Sequence, residues 1–444
     1  MIGSMSGGKG VTTLMATAVA LGAIIGAGIF VLSGTAIAVA GSYAIIAFIV
    51  VGIIAFFVAL QLGELGSLMP SVKGGAYSYV YGAFGSELGF ITGIILYFSY
   101  STGISVISLG FGSYLASLLG LSVGAYQIYF AIMLIVVLSI VNLAGIKKAI
   151  KSDSVLVLLK IAILVLFVAF ALVFAYYHSA ALGANFVSLP SQTGLGAIFA
   201  ASVVIFFAYS GFQSISTFTS RIQGGARAAA KALAFSVLIS IALYVLIAFA
   251  LIALVPASRY TAGGDPLAFA LQAAHAPDYL FILVAIGAII ATVSASLANM
   301  LGSSRMLYQI SADRLLPEAF RKYNRSKDVA VNGVIVSAVI AIVMLFSGNI
   351  YVIASISNFG LLFSFLMVSL AVIHFRRLGR KGEVRTPFYP YIPLITIIGL
   401  LAFMSGMPQE ALVVGVLIVM VLIMAYYSLR EIESKKVIRV KLFK

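Results

Sequence analysis

A chain of 444 residues that is 63% hydrophobic and only 9% charged, with a mean hydropathy of +1.18, is excluded as a soluble domain, because its exterior would have to meet water with that apolar surface. The formal charge of +15 invites a nucleic-acid partner, but the basic residues lie between apolar runs and no nucleic acid is needed to explain them. Cysteine is absent, which removes disulfides, thiolate metal sites and cysteine nucleophiles.

Runs long enough to cross about 30 Å of hydrocarbon recur throughout, whereas a membrane barrel would show alternating segments of roughly 10 residues. The fold class expected is an all-α integral membrane protein with twelve spans, at 12–39, 43–69, 84–119, 124–145, 153–177, 194–222, 232–255, 279–312, 329–347, 349–375, 388–407 and 409–430. The third and eighth runs exceed a bilayer and are expected to tilt or protrude. Residues 1–11 read as a tail whose Lys9 precedes a long apolar run without a cleavage site, so the first run is expected to be retained. Residues 12–177 and 194–375 hold five runs each, 388–430 hold two, and 431–444 form a basic tail. With the N-terminus in the cytoplasm, the inner connections and the two tails carry all 27 lysines and arginines except Arg259 and Lys160. Carrying positive charge outward is disfavoured, so both termini are expected to be cytoplasmic, in a cell membrane.

The first run contains Gly22-Ala-Ile-Ile-Gly26-Ala27-Gly28-Ile29-Phe30. Three glycines in seven residues weaken a helix at mid-membrane depth, where continuous hydrogen bonding matters most. Taken alone, the Gly22–Gly26 spacing suits helix packing better. A dinucleotide fingerprint is a poor fit, with no preceding strand and no acidic residue at the right distance. On the second run, Glu64 is expected to contact basic loops from a helix end rather than carry a proton. Tyr100, Ser101 and Ser105 on the third run, with Asn299 and Ser355 further on, are candidates either for lining a pocket or for helix packing.

Lys160 lies seven residues inside the fifth run, about 10 Å from Asp153 along a helix axis. It either snorkels to the interface or, because a lysine in a span costs about 2.5–3.5 kcal/mol, faces a polar cavity. There its pKa is open to tuning and it can gain and lose a proton. The sixth run reads Phe206-Phe207-Ala208-Tyr209-Ser210-Gly211-Phe212-Gln213, again with a glycine near mid-depth. Spans one and six hold matching places in consecutive five-helix halves, and paired interruptions point to a binding site between inverted repeats. Each break frees N–H groups at one half-helix start, which suit a carboxylate, and carbonyls at the other half-helix end, which suit an ammonium. An α-amino acid presents both. His178, His275 and His374 are scattered and show no metal-ligand spacing.

Several stretches together resemble the amino acid–polyamine–organocation superfamily. They are Gly26-Ala27-Gly28-Ile29-Phe30; Glu64-Leu-Gly-Ser-Leu-Met-Pro70 with Gly74-Gly75-Ala76-Tyr77; Phe207-Ala208-Tyr209-Ser210-Gly211-Phe212; and Ser304-Arg305-Met306-Leu307-Tyr308 with Asp313-Arg314-Leu315-Leu316-Pro317. The resemblance implies a five-plus-five inverted repeat with discontinuous helices one and six, two further C-terminal helices, and secondary transport without enzymatic chemistry or a cofactor. It implies a substrate carboxylate on main chain around Gly26, Ala27 and Gly28, with Ala208 and Gly211 in the opposing break. The amine would meet carbonyls of Ile24, Phe207 and Ser210, with Phe207 as the gate. Proton-coupled members carry a lysine where Lys160 stands, so the resemblance implies proton coupling there. The partners implied are carbonyls of Gly22 and Ile25 and a hydroxyl of Ser294 or Thr292. Gln213 departs from members that carry an acid at its position, as does the neighbourhood of Ser220. The expected function is proton-coupled symport of small-to-medium L-amino acids, against exchange or facilitated passage without a proton, or a receptor that transports nothing. The expected partners are an amino acid, a proton and the lipid bilayer.

Overall fold

The computed structural model describes residues 12–70, 74–145, 153–187, 194–213 and 222–442. The 1–11 tail with Lys9, and Lys73 and Ser220, lie outside these residues.

The first run is two helices, α1 (Thr13–Ile24) and α2 (Gly28–Ala40), bent by 47° across residues 25–27. Thr12 caps α1 by accepting from the Met15 amide, whereas α2 starts at Ala27 without a side-chain cap. Its first amides therefore have no partner within the helix. Next come α3 (Tyr43–Leu68), the short α4 (Ala76–Phe84), α5 (Ser86–Leu118), α6 (Val123–Ala144), α7 (Asp153–Tyr177) and the short α8 (Ser179–Val187). The sixth run is α9 (Gly194–Tyr209), followed by a turn at Ser210–Gly211. The run was expected to reach residue 222 with an interruption at Gly211; the helix ends at Tyr209, just before Gly211 with φ +118°, a conformation that side-chain-bearing residues rarely enter. Residues 214–221 lie outside the described part.

The second half contains α10 (Gly225–Leu254), α11 (Pro266–Ala273), α12 (Asp278–Ala312), α13 (Val331–Met344), α14 (Ile350–Arg377), α15 (Tyr391–Ser405) and α16 (Gln409–Leu442). Helix α10 begins seven residues earlier than the expected 232. Its first turns are alanine-rich, and alanine holds a helix where Arg227 and Lys231 lower the hydropathy. In α16 the helix runs through most of the expected 431–444 tail to Leu442. Helix α13 starts later than 329, because Val329–Ala330 (β2) pairs antiparallel with Tyr323–Asn324 (β1).

Among the described residues, eight helices are long and apolar enough to cross a membrane, and the bent α1–α2 pair makes a ninth candidate. The three remaining expected spans appear as shorter apolar helices, α9, α13 and α15. Helix α5 is the most enclosed of the long helices, and α16 the least.

The packing has a regularity. The α1–α2 pair lies on α9 through α2, α3 on α10, α5 on α12 and α6 on α13. Exchange across these pairings maps other contacts onto one another: α1 with α10 answers α9 with α3, and α7 with α10 answers α14 with α3. Likewise α5 with α14 answers α12 with α7.

Candidate functional site

The two breaks meet at the centre of this arrangement. A Cβ built on Gly28 would stand 2.4 Å from Ala208 Cα, so the start of α2 lies directly against the end of α9. One on Gly211 would stand 2.4 Å from the Ala23 carbonyl oxygen, so the end of α1 presses on the turn after α9. Gly26 is roomier, with the Ala23 oxygen at 3.3 Å and Ala295 Cβ at 3.5 Å from its built Cβ. Gly22 faces α7, where the Cβ would fall 2.2 Å from Val157 Cγ2. The packing reading thus describes Gly22, and close approach of two breaks describes Gly28.

Two helix ends with carbonyls (α1 and α9) and one helix start with amides (α2) converge here. That arrangement holds partial negative and partial positive charge side by side. The carbonyls expected to face a ligand have protein partners. Ile24 O accepts from Tyr244 Oη at 2.8 Å, and Phe207 O accepts from the Ser210 amide at 3.1 Å and from Ser210 Oγ at 2.7 Å. A carbonyl has two lone pairs, so Ile24 O stays open to a further donor, whereas Phe207 O already accepts two and takes another only in place of a Ser210 bond. The Ile25 amide completes α1 by donating to Leu21 O at 2.7 Å.

Gln213 uses both ends of its amide. Its Oε1 accepts from the Gly211 amide at 2.8 Å, and its Nε2 donates to Tyr100 Oη at 3.3 Å. Tyr100 therefore faces the break. Ser101 and Ser105 turn the other way: Ser101 Oγ lies 3.3 Å from Ser337 Oγ, and Ser105 donates to Ala341 O, both on α13. Ser355 bonds back to Tyr351 O in its own helix. The Phe207 ring lies over Gly103, whose built Cβ would come 3.1 Å from Phe207 Cε2, 3.2 Å from Asn299 Nδ2 and 3.4 Å from Ser357 Oγ. Gly103, Ser357 and Tyr244 were not singled out from the sequence. A glycine, a serine and a tyrosine inside apolar helices carry no spacing signal that would have marked them.

Lys160 is buried, 2% exposed, and donates to Ser294 Oγ at 3.3 Å. Thr292, the other hydroxyl expected there, bonds within its own helix to Ala288 O and Ile289 O. Val157 on Gly22 and Gly287 on Ile163 pack one turn to either side of Lys160, which sets it between α1, α7 and α12.

Further along α2, the segment around Asp265 and Pro266 packs against it. Pro266 packs on Gly34, Tyr114 Oη donates to Phe30 O at 2.7 Å, and Ser117 Oγ donates to Asp265. Burial pushes the Asp265 carboxyl above its ordinary value, and the Ser117 bond pulls it partly back. At the other end, Glu64 meets Arg376 in a two-pronged pair (Nη2 to Oε2 3.0 Å) and accepts from the Thr386 amide at 2.8 Å. Tyr77 donates to Asp313 Oδ2 at 2.8 Å, joining two of the stretches that carried the resemblance. His178 stacks on Phe174, and His374 lies against Phe84.

Comparison with known proteins gives matches along nearly the whole chain. The family described as amino acid permease matches residues 11–425. The branched-chain amino acid permease of Bacillus subtilis (strain 168) is 27% identical over 86% of this chain and 84% of that protein. The methylthioribose transporter of the same organism is 28% identical over 88% and 87%. The branched-chain amino acid permease of Lactococcus lactis subsp. cremoris (strain MG1363) is 28% identical over 96% and 95%. Among solved structures, a mutant of the Eremococcus coleocola manganese transporter superposes with a TM-score of 0.59 over 94% of each chain, at 15% identity. At that identity the likeness shows the fold alone.

Proposed function

The chain belongs to the amino acid permease family of membrane transporters, and on that premise we propose that it is a proton-coupled symporter of small-to-medium neutral L-amino acids, working by alternating access in a cell membrane. The observation that carries the site is the direct abutment of the two breaks at Gly28 and Ala208. There the amides of the Gly26–Ala27–Gly28 segment take the substrate carboxylate, and the carbonyl ends at Ile24, Phe207, Ala208 and Ser210 take its ammonium. The turn at Gly211 sets the direction of those ends, and Phe207 closes over the bound molecule.

The pairwise packing of α2 with α9, α3 with α10, α5 with α12 and α6 with α13 supports a five-plus-five repeat over 12–177 and 194–375. On this reading, with α9, α13 and α15 counted as crossings, 1–11 and 431–444 share one side of the membrane, and the gathering of basic residues there supports the cytoplasmic side. The groups around the Phe207 ring, Gly103, Asn299 and Ser357, carry no formal charge, which favours neutral side chains. Two of the relatives are named for branched-chain amino acids, so L-leucine is the first probe.

Lys160 supplies the proton step. A buried ammonium between α1, α7 and α12 costs less when it bonds Ser294, and losing its proton loosens the junction. Each proton entering with substrate adds about 2.3 kcal/mol per 100 mV of membrane potential. The test is uptake of labelled L-leucine into proteoliposomes with and without an imposed proton gradient. Accumulation above equilibrium only with the gradient is expected. Equal equilibration in both leaves exchange or facilitated passage, and arginine displacing leucine at much lower concentration overturns the neutral preference.

A further inference from the structure

Tyr244 bonds to both interrupted helices. Its hydroxyl lies 2.8 Å from Ile24 O, at the end of α1, and 3.1 Å from Ala208 O, in the last turn of α9. A phenol has one proton for these two acceptors, so it donates fully to one of them at a time. Both carbonyls belong to helix ends, whose last C=O groups have no partner within the helix. The ring is fully buried. It packs edge-on against Phe48, with centroids 6.2 Å apart, and tilted against Tyr209 at 4.9 Å. The hydroxyl is therefore held in place and cannot swing clear without repacking three aromatic rings.

A single donor between two carbonyl-bearing helix ends occupies the kind of position that a cation prefers there. We propose that Tyr244 is a positioning residue that ties the two helix breaks together and holds the place of the substrate ammonium between the Ile24 and Ala208 carbonyls. The tie stands on the hydrogen bonds alone, and the placeholder role rests on the amino acid reading above. An arriving ammonium takes one carbonyl, and the hydroxyl keeps the other. Binding thus moves one hydrogen bond from a link between the breaks to a link between one break and the substrate. The two half-helices are then released to move relative to each other only when substrate is present.

Tyr244→Phe removes one oxygen and keeps the ring packing. Tyr209→Phe is the control. Its hydroxyl is equally buried but donates to Phe48 O at 2.9 Å, on α3, and does not join the breaks. The natural chain has no cysteine, so Ser33→Cys on α2, where Ser33 Oγ is buried without a hydrogen-bond partner, gives a single reporter thiol. In that background, N-ethylmaleimide should label purified Tyr244→Phe several-fold faster than the parent, and Tyr209→Phe at the parent rate. In L-leucine uptake, kcat of Tyr244→Phe should fall about tenfold, the worth of one buried hydrogen bond. KM should stay level or drop, because the carbonyls have lost their competitor. Unchanged labelling overturns the tie. A KM that rises as kcat falls, or two variants that behave alike, overturns the placeholder role. If the parent protein takes up and binds no L-leucine, the placeholder role falls with the amino acid reading, and the thiol measurement still decides the tie.

Discussion

Adding one methyl group at Gly28 should damage the site directly. The new carbon would stand 2.4 Å from Ala208 Cα and 3.0 Å from Ala208 Cβ. Carbon atoms rest at about 3.5–4.0 Å, so α2 and α9 must part by about 1 Å. The closest atom is backbone, so no rotamer change relieves the clash. Overpacking of this kind costs about 1–3 kcal/mol. At about 1.4 kcal/mol per tenfold, L-leucine binding to Gly28→Ala should weaken by roughly 5- to 150-fold. Gly26→Ala is the internal comparison. Its Cβ meets nothing closer than the Ala23 oxygen at 3.3 Å, and its binding should change by less than about threefold, well under the cost of an overpacked contact. Equilibrium binding of labelled L-leucine to purified protein reads both, with thermal unfolding as the check on folding. Wild-type affinity and an unmoved melting temperature in Gly28→Ala would refute the close approach of the breaks, as would Gly26→Ala proving the worse variant.

Asp265 gives a pH test. Its carboxyl is held above the ordinary value by burial, so the folded protein binds the proton more tightly than the unfolded chain. The stability it adds is fully present below the ordinary carboxylate pKa and is lost as pH rises through the raised value. Thermal scans across that window should show wild type gaining stability on acidification relative to Asp265→Asn, and parallel curves would contradict this. The Glu64–Arg376 pair is mostly enclosed, with side chains 2% and 19% exposed. Glu64→Ala should cost about 3–5 kcal/mol, because it leaves the guanidinium without its partner. In a double-mutant cycle, adding Arg376→Ala should recover part of that loss, and strict additivity would show the pair to be uncoupled.

The long apolar runs were legible because hydropathy reports the solvent, but their ends were less so, and α9, α13 and α15 are shorter than the runs that were read for them. Arg227 and Lys231 lower hydropathy without ending a helix. Within the site, the breaks were legible from their glycines, but which glycine does which task depends on the facing helix. Gly22 meets Val157, Gly28 meets Ala208, and neither partner can be read from spacing. Thr292 and Ser294 were equal candidates for Lys160. Residues two apart on a helix point about 200° away from each other, so only one of them can face α7, and the structure turns Ser294 that way. Ser101 and Ser105, one turn apart, share a face, and that face belongs to α13 rather than the site. Tyr244 was illegible because its acceptors lie 220 and 36 residues away, on two different helices.

The central claim is that substrate moves with a proton carried at Lys160. It is tested most directly by recording internal pH in proteoliposomes while L-leucine is added outside, for wild type and Lys160→Ala. The account predicts acidification with wild type and none with Lys160→Ala, while leucine exchange survives in the variant because the breaks that hold the substrate are intact. An equal acidification by Lys160→Ala would contradict it, leaving the lysine a packing residue beside Ser294 and the proton on another path.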